Sequence, residues 1–255
     1  MSDELVHCEV DRAVATVTLD SPANRNALSS RLMTDLEGHL AAAAKDPGVR
    51  AVVLTHTGGT FCAGVDLKEA SQGGPAGGTG RMLALMRSLV AMPKPVVARI
   101  DGHVRAGGLG LIGGCDIVVA GPASTFAFTE VRLGLAPAVI SLTTLSRLDE
   151  RAAARYFLTG EKFGAAEAAR IGMVTVAAQD AGAETEAVLT GLRACSPQGL
   201  AESKALTTRS VLSTMDSEGD RVQEQSARLF ASAEAAEGMQ AFLQRRPPRW
   251  AAEAG

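Results

Sequence analysis

The sequence predicts an α/β fold followed by a helical C-terminal region. Up to about Pro137, short aliphatic runs alternate with segments of helical period. Beyond that point the chain reads almost wholly as helix. The composition is 46% hydrophobic but only 4% aromatic, so the core is aliphatic. At 255 residues the chain suits one large domain, or a core domain with a helical appendage.

"ELVHCEV" and "AVATVTL" flank Asp11 and Arg12 and read as a β-hairpin. "SPANRNALSS" is a turn. From Ser29, the recurrence of Leu32, Leu36 and Leu40 predicts a helix that Asp46-Pro47 ends. "RAVVLT" reads as a buried strand. "EASQGGPAGGTG" has no periodicity and much glycine, and reads as a flexible loop. Met82, Met86, Leu89 and Val90 mark a helix that stops before "PKP". "PVVARI", "DIVVA" and "STFAF" are strands, and "MVTV" is a short strand within the later helical part.

Charge and motifs exclude several classes of function. A net charge of −3 leaves no basic excess for nucleic acid. Cys8, Cys62, Cys115 and Cys195 form no C-x-x-C pair, which argues against a zinc site and suits a reducing cytoplasm. The N-terminus has no apolar run, so no signal peptide is expected, and no run approaches the roughly 18 residues of a membrane span. His7, His39, His56 and His103 share no spacing for a metal or a catalytic triad, and no G-x-S-x-G is present.

"VRAGGLGLIGGCDIVVA" carries the dinucleotide fingerprint GxGxxG at Gly108, Gly110 and Gly113. Its expected context is missing: "VVARI" ends well before Gly108, the helix before "DIVVA" has about two turns, and no ribose-binding acid follows. Two readings remain. Gly107-Gly108 opens a helix whose free N–H groups face a carbonyl oxygen that becomes negative, or the glycines only let a helix pack closely. A second bend favours the first reading. In "THTGGTFCAGVDLKEA" the turn Ala63-Gly64-Val65 leads to a helix starting near Asp66. Two amides from two such bends can form an oxyanion hole without side chains.

At this point the chain resembles the enoyl-CoA hydratase/isomerase family, the crotonase superfamily. "SPANRNALS", "GGTFCAGVDLKE", "IDGHVRAGGLGLIGGCDIVVA", "STFAFTEVRLGLAPAVIS" and "EGMQAFLQRRPPRW" match its segments in order over nearly the whole chain. The resemblance implies a crotonase-like stack of ββα turns with an acyl-CoA site over residues 1–195, and a C-terminal helical trimerisation region over 196–255. It makes the N–H groups of Val65 and Gly107 the oxyanion donors and Glu130 the catalytic acid/base. It places Arg25, Ala63, Asp66, Leu67 and Lys68 against coenzyme A, which is part of the acyl-CoA thioester substrate; no separate cofactor is implied. Homotrimers or dimers of trimers are expected. Arg245, Arg246, Arg249 and Trp250 would lie near coenzyme A, or form a solvated tail.

Two positions depart from the family pattern. The best-known hydratases carry a second glutamate where this chain has Gly110. Arg105 stands where the family has an apolar residue, and either meets a substrate carboxylate or caps the structure. A single acid suits double-bond isomerisation, which needs one base to take and return a proton. Yet a glycine at the missing-acid position, together with "FTEVRLGLAPAVIS", also resembles a hydratase subgroup acting on branched or carboxylated enoyl-CoA esters. Hydration therefore ranks first on resemblance, with isomerisation behind it. An acyl-CoA-binding protein with little activity is the non-enzymatic rival, and a surface ion pair with Arg132 is the alternative for Glu130. "EASQGGPAGGTG" would be a mobile flap over the acyl chain.

Overall fold

The computed structural model describes residues 4–73 and 76–252. The predicted hairpin is present as β1 (Val6–Asp11) and β2 (Val14–Leu19). Helix α1 (Ser30–Lys45) starts where Ser29 accepts a hydrogen bond from the Leu32 N–H, an N-cap that satisfies one free donor of the first turn. It buries Leu32, Met33, Leu36 and Leu40. Next come β3 (Ala51–His56), β4 (Thr60–Cys62), α2 (Leu67–Gly73) and α3 (Ala76–Ala91). Then β5 (Val96–Ile100), β6 (His103–Arg105), α4 (Gly107–Gly114), β7 (Ile117–Ala120), β8 (Thr125–Ala127) and α5 (Ala138–Thr144) follow.

These elements repeat a single path. β3, β5 and β7 are neighbours in a large sheet of order β1-β2-β3-β5-β7, which β10 (Val176–Ala177) completes. From each of β3, β5 and β7 the chain steps to a short strand of a second sheet, of order β4-β6-β8-β9, where β9 is Phe163–Gly164. It then enters a helix. This is a stack of ββα turns, as the resemblance implied. Within the small sheet β4, β6 and β8 are parallel, so their C-terminal ends lie side by side.

The remaining helices are α6 (Glu150–Thr159), α7 (Ala165–Arg170), α8 (Ala181–Arg193), α9 (Pro197–Phe230), α10 (Ala233–Leu243) and α11 (Arg249–Ala252). The main core lies between the sheets and the helices α1, α3, α4 and α5, and a smaller cluster lies under α8. α9 lies across α3 and α5 of its own chain. Lys204 pins it there. Its buried Nζ donates to the carbonyls of Leu89 and Lys94 and pairs with Asp116 at 2.7 Å. Breaking such a buried pair would strand a charge in the core.

Three expectations need correction. The glycine-rich stretch is not a loop along the part described: Glu69–Gly73 belong to α2 and Ala76–Gly80 to α3, while residues 74–75 lie outside the described residues. Asp66 caps α2 by accepting the N–H groups of Lys68 and Glu69, so a side-chain cap offsets the weak helix propensity that suggested a loop. "HVR", which was not among the expected strands, forms β6; at three residues it is too short for alternation to show. The strand expected at "MVTV" begins only at Val176. Among the described residues no helix is long and apolar enough to cross a membrane.

Candidate active site

The candidate residues follow the C-terminal ends of three adjacent parallel strands. β4 leads into Ala63-Gly64-Val65, β6 into Ala106-Gly107, and β8 into Glu130. Carboxyl ends of parallel strands are where backbone and loops are free to meet a ligand.

The first two bends touch. A methyl group added at Gly64 would lie 2.8 Å from Ala106 Cβ and 3.4 Å from Gly107 N. Gly64 has φ +90, which glycine adopts without strain. Ala106 has φ 46 and ψ −119, a conformation unfavourable to alanine. Its N–H donates to the Ala127 carbonyl, so the β6–β8 pairing helps hold the strained turn. Neither the Val65 nor the Gly107 N–H donates to another group among the described residues. Gly107 is the first residue of α4, where no intrahelical acceptor exists.

Glu130 opens a short 3-10 turn, Glu130–Leu133, directly after β8. Arg132 does not pair with it; its Nε donates to the Thr159 carbonyl instead. Helix α10 packs on this turn. A side chain at Gly238 would strike the Leu133 backbone, and one at Gly134 would strike that of Glu234. Glu130 as a residue is partly exposed, but its Oε2 is buried and has no hydrogen-bond partner among the described residues. Burial pushes its carboxyl up to about 7.

The residues expected to hold coenzyme A are gathered in one place. The Arg25 carbonyl accepts the Ala63 N–H at 3.1 Å, and the Leu28 N–H donates to the Gly64 carbonyl at 2.8 Å. Asn24 Nδ2 donates to Asp66 at 2.8 Å. Burial would raise the Asp66 carboxyl, but this bond and the α2 amides outweigh it and hold the group below its usual range. Leu67 is half-buried and Lys68 exposed beside them.

The sequence reading missed Asn26, which organises this turn. It is fully buried at φ 51. It accepts the Ser21 N–H at 2.7 Å and donates to the carbonyls of Thr57 and Thr60 at 3.2 and 2.8 Å. An asparagine within "SPANRNALSS" is the kind of turn residue that does this, and that was the available signal.

All three fingerprint glycines serve packing. A side chain at Gly108 would meet Cys62 Cβ at 2.8 Å, one at Gly110 would meet Ile140 at 2.6 Å and Met86 Sδ at 2.7 Å, and one at Gly113 would meet Thr143 at 2.9 Å. α4 spans only Gly107–Gly114. No dinucleotide turn is built here.

Other candidates are accounted for locally. Arg105 donates to the carbonyls of Val104 and Thr125 and to Thr125 Oγ1. His103 shares a 2.9 Å bond with that same hydroxyl. Burial pushes the Cys62 thiol up to about 12, so it is no nucleophile near neutral pH. Arg246 makes a two-pronged pair with Glu237 of α10, and the Arg249 N–H donates to the same carboxylate.

The family model described as enoyl-CoA hydratase/isomerase matches residues 9–253. A crystal structure of an enoyl-CoA hydratase from Mycobacterium avium superposes with a TM-score of 0.91 at 54% identity, covering 98% of this chain and 100% of that one. Enoyl-CoA hydratase EchA19 of Mycobacterium tuberculosis is 34% identical over 246 residues, 92% of this chain and 91% of that protein. The mevalonyl-coenzyme A hydratase sidH of Aspergillus fumigatus is 30% identical over 251 residues, 93% of this chain and 91% of that protein.

Proposed function

Because the chain belongs to the enoyl-CoA hydratase/isomerase family, we propose that it hydrates a 2-enoyl-CoA thioester with Glu130 as its only acid/base. The single observation that carries this is the buried, unpartnered Oε2 of Glu130, three residues past the end of β8, the strand that pairs with β6. The thioester oxygen accepts the N–H groups of Val65 and Gly107. As the oxygen of water bonds to Cβ, the Glu130 carboxylate takes the water proton and the double-bond electrons move onto the thioester oxygen. The two amides stabilise that enolate more than the ground state. Glu130 then returns the proton to Cα, and the enolate collapses to the 3-hydroxyacyl thioester.

A second reading has its own support. A carboxyl pushed to about 7 holds and releases a proton readily, and the packing at Gly110 leaves no second acid to orient water. The same glutamate therefore suits a shift of the double bond of a 3-enoyl-CoA, taking a proton from Cα and delivering it to Cγ. The C-terminal helices, in this proposal, pack between copies in a homotrimer or dimer of trimers.

The test is turnover of crotonyl-CoA and of a 3-enoyl-CoA by the wild type and by Glu130→Gln. The variant is expected to lose roughly 10²–10⁴-fold in kcat while still binding acetoacetyl-CoA by calorimetry. Undiminished turnover would remove Glu130 from the reaction. Hydrated product from the first substrate favours the hydratase, and product from the second alone favours the isomerase.

A further inference from the structure

We infer that Glu69 is a positioning residue for the Val65 amide: its carboxylate, seated on Ser30 at the start of α1, closes the ring of hydrogen bonds that aims that N–H. The inference rests on the acyl-CoA reading above and adds a residue through which one of its two donors is held.

The two donor peptides are fixed in different ways. A peptide unit is planar and trans, so whatever holds its carbonyl sets the direction of its N–H. The carbonyl that shares a peptide with the Gly107 N–H belongs to Ala106, and it accepts the Leu109 N–H at 2.8 Å. That bond lies in the first turn of α4, so the helix aims its own donor. The carbonyl that shares a peptide with the Val65 N–H belongs to Gly64, and it accepts the N–H of Leu28, distant in the chain, at 2.8 Å. Gly64, at φ +90, has no side chain to restrain rotation of that peptide. The aim of Val65 therefore depends on what keeps residues 28–30 beside residues 64–69.

Glu69 ties the far ends of these segments. Its Oε2 accepts both the backbone N–H and the hydroxyl of Ser30, at 2.8 and 2.9 Å. From Glu69 back towards Val65 the chain is stiff: Asp66 Oδ1 accepts the N–H groups of Lys68 and Glu69, and the Asp66 carbonyl accepts that of Ala70. Ser30 is anchored from its other side, because its carbonyl accepts Arg81 Nη1 at 2.9 Å and Arg81 makes a two-pronged pair with Glu37. Ser30 is the first residue of α1, so its amide has no intrahelical acceptor and the helix dipole favours an anion there. Glu69 and Ser30 are both exposed, where charge alone would hold little. The restraint comes from two donors of one residue converging on one oxygen. Asn24 adds a second tie, to Asp66 at 2.8 Å, so loss of Glu69 loosens the segment without releasing it.

The experiment compares Glu69→Ala, Glu69→Gln, Ser30→Ala and Ser29→Ala with the wild type. Ser29→Ala removes the side-chain cap from the same helix end without touching α2, and so reports what weakening α1 alone does. kcat and KM are measured on whichever of crotonyl-CoA and a 3-enoyl-CoA the wild type turns over. Infrared difference spectra give the stretching frequency of the thioester carbonyl of bound crotonyl-CoA, with Glu130→Gln added to each protein to prevent turnover. A hydrogen bond to that oxygen lowers the frequency. Glu69→Ala should lose about tenfold in kcat, less than the roughly 10²–10³-fold of removing a donor outright. KM should stay within about threefold, as for an interaction made mainly in the transition state. The carbonyl frequency should fall less on binding than it does with Glu69 in place. Glu69→Gln, whose amide oxygen still accepts from Ser30, should keep most of both. Ser30→Ala removes one of the two donors and should show the same change at about threefold; it decides the matter should Glu69→Ala not fold. Ser29→Ala should melt lower yet keep the wild-type kcat and carbonyl frequency. Unchanged kcat and frequency in Glu69→Ala, a loss confined to KM, or an equal loss in Ser29→Ala would each overturn the positioning role while leaving Glu130 in the reaction. If neither ester is turned over, if Glu130→Gln is as active as the wild type, or if binding to Glu130→Gln leaves the carbonyl frequency unmoved, the acyl-CoA reading itself falls and this role falls with it.

Discussion

The strand ends that carry the candidate residues and the next turn of α4, at Gly110, are built on opposite terms. At the strand ends polar groups are left unpaired: among the described residues the Val65 and Gly107 amides have no protein acceptor, and Glu130 Oε2 is buried without a donor. At Gly110 the space is packed and the backbone bonded: Ile140 and Met86 fill the space over the glycine, and Thr143 satisfies its carbonyl. The unpaired groups at the strand ends cost stability, and close packing at Gly110 offsets it. Such local conflicts are what a functional site is expected to show.

That contrast breaks most visibly at Gly110. Gly110→Leu places a side chain where Ile140 and Met86 already sit, and should cost about 3 kcal/mol or more. A melting temperature lower by several degrees is then expected, and an unchanged one would mean the α4–α5 junction is loose. At Glu130 the sign reverses. Glu130→Gln should stabilise the protein at pH 8. The folded carboxyl is raised from 4.5 to about 7, so the wild type is unpenalised below about pH 4.5 and loses stability as pH rises to 7. The difference reaches on the order of 3 kcal/mol. Melting curves of both proteins at pH 4.5 and 8 read it directly, and parallel curves would show that Glu130 is not buried.

Smaller effects sharpen the same comparison. Gly107→Ala puts a methyl against Leu28 Cδ1, a flexible end that can yield, and beside Gly64. Turnover should fall about tenfold, about 1.4 kcal/mol of transition-state stabilisation, with the melting temperature almost unchanged. A stability loss as large as that of Gly110→Leu would erase the distinction between the two turns. Ala106→Gly relieves a strained φ but adds chain entropy, so the net gain should stay below about 1 kcal/mol. Chemical denaturation measures it, and a clear loss would show that the alanine methyl packs usefully.

Much of this was legible in the sequence, because strong local signals agreed with the tertiary outcome. The Leu32–Leu36–Leu40 spacing gave α1, and the paired bends, with Glu130 added by the resemblance, gave the candidate site. What escaped depended on contacts distant in the chain. Short strands such as β6 exist because β4 and β8 flank them, and three residues carry no period. The same holds for Gly110. Its sequence neighbours say only that an acid is missing, whereas Ile140, thirty residues on, occupies the space that a side chain there would need. Asn26 and Lys204 act through bonds to distant carbonyls, which no local pattern announces.

The most direct measurement is the pH dependence of kcat/KM for crotonyl-CoA from pH 5 to 9, in the wild type and in Glu130→Gln. One buried carboxylate acting as base predicts a single rise centred near pH 7 in the wild type, set by the ionisation of the free enzyme, and no such rise in the variant. A flat wild-type profile, or the same rise surviving in Glu130→Gln, would contradict it.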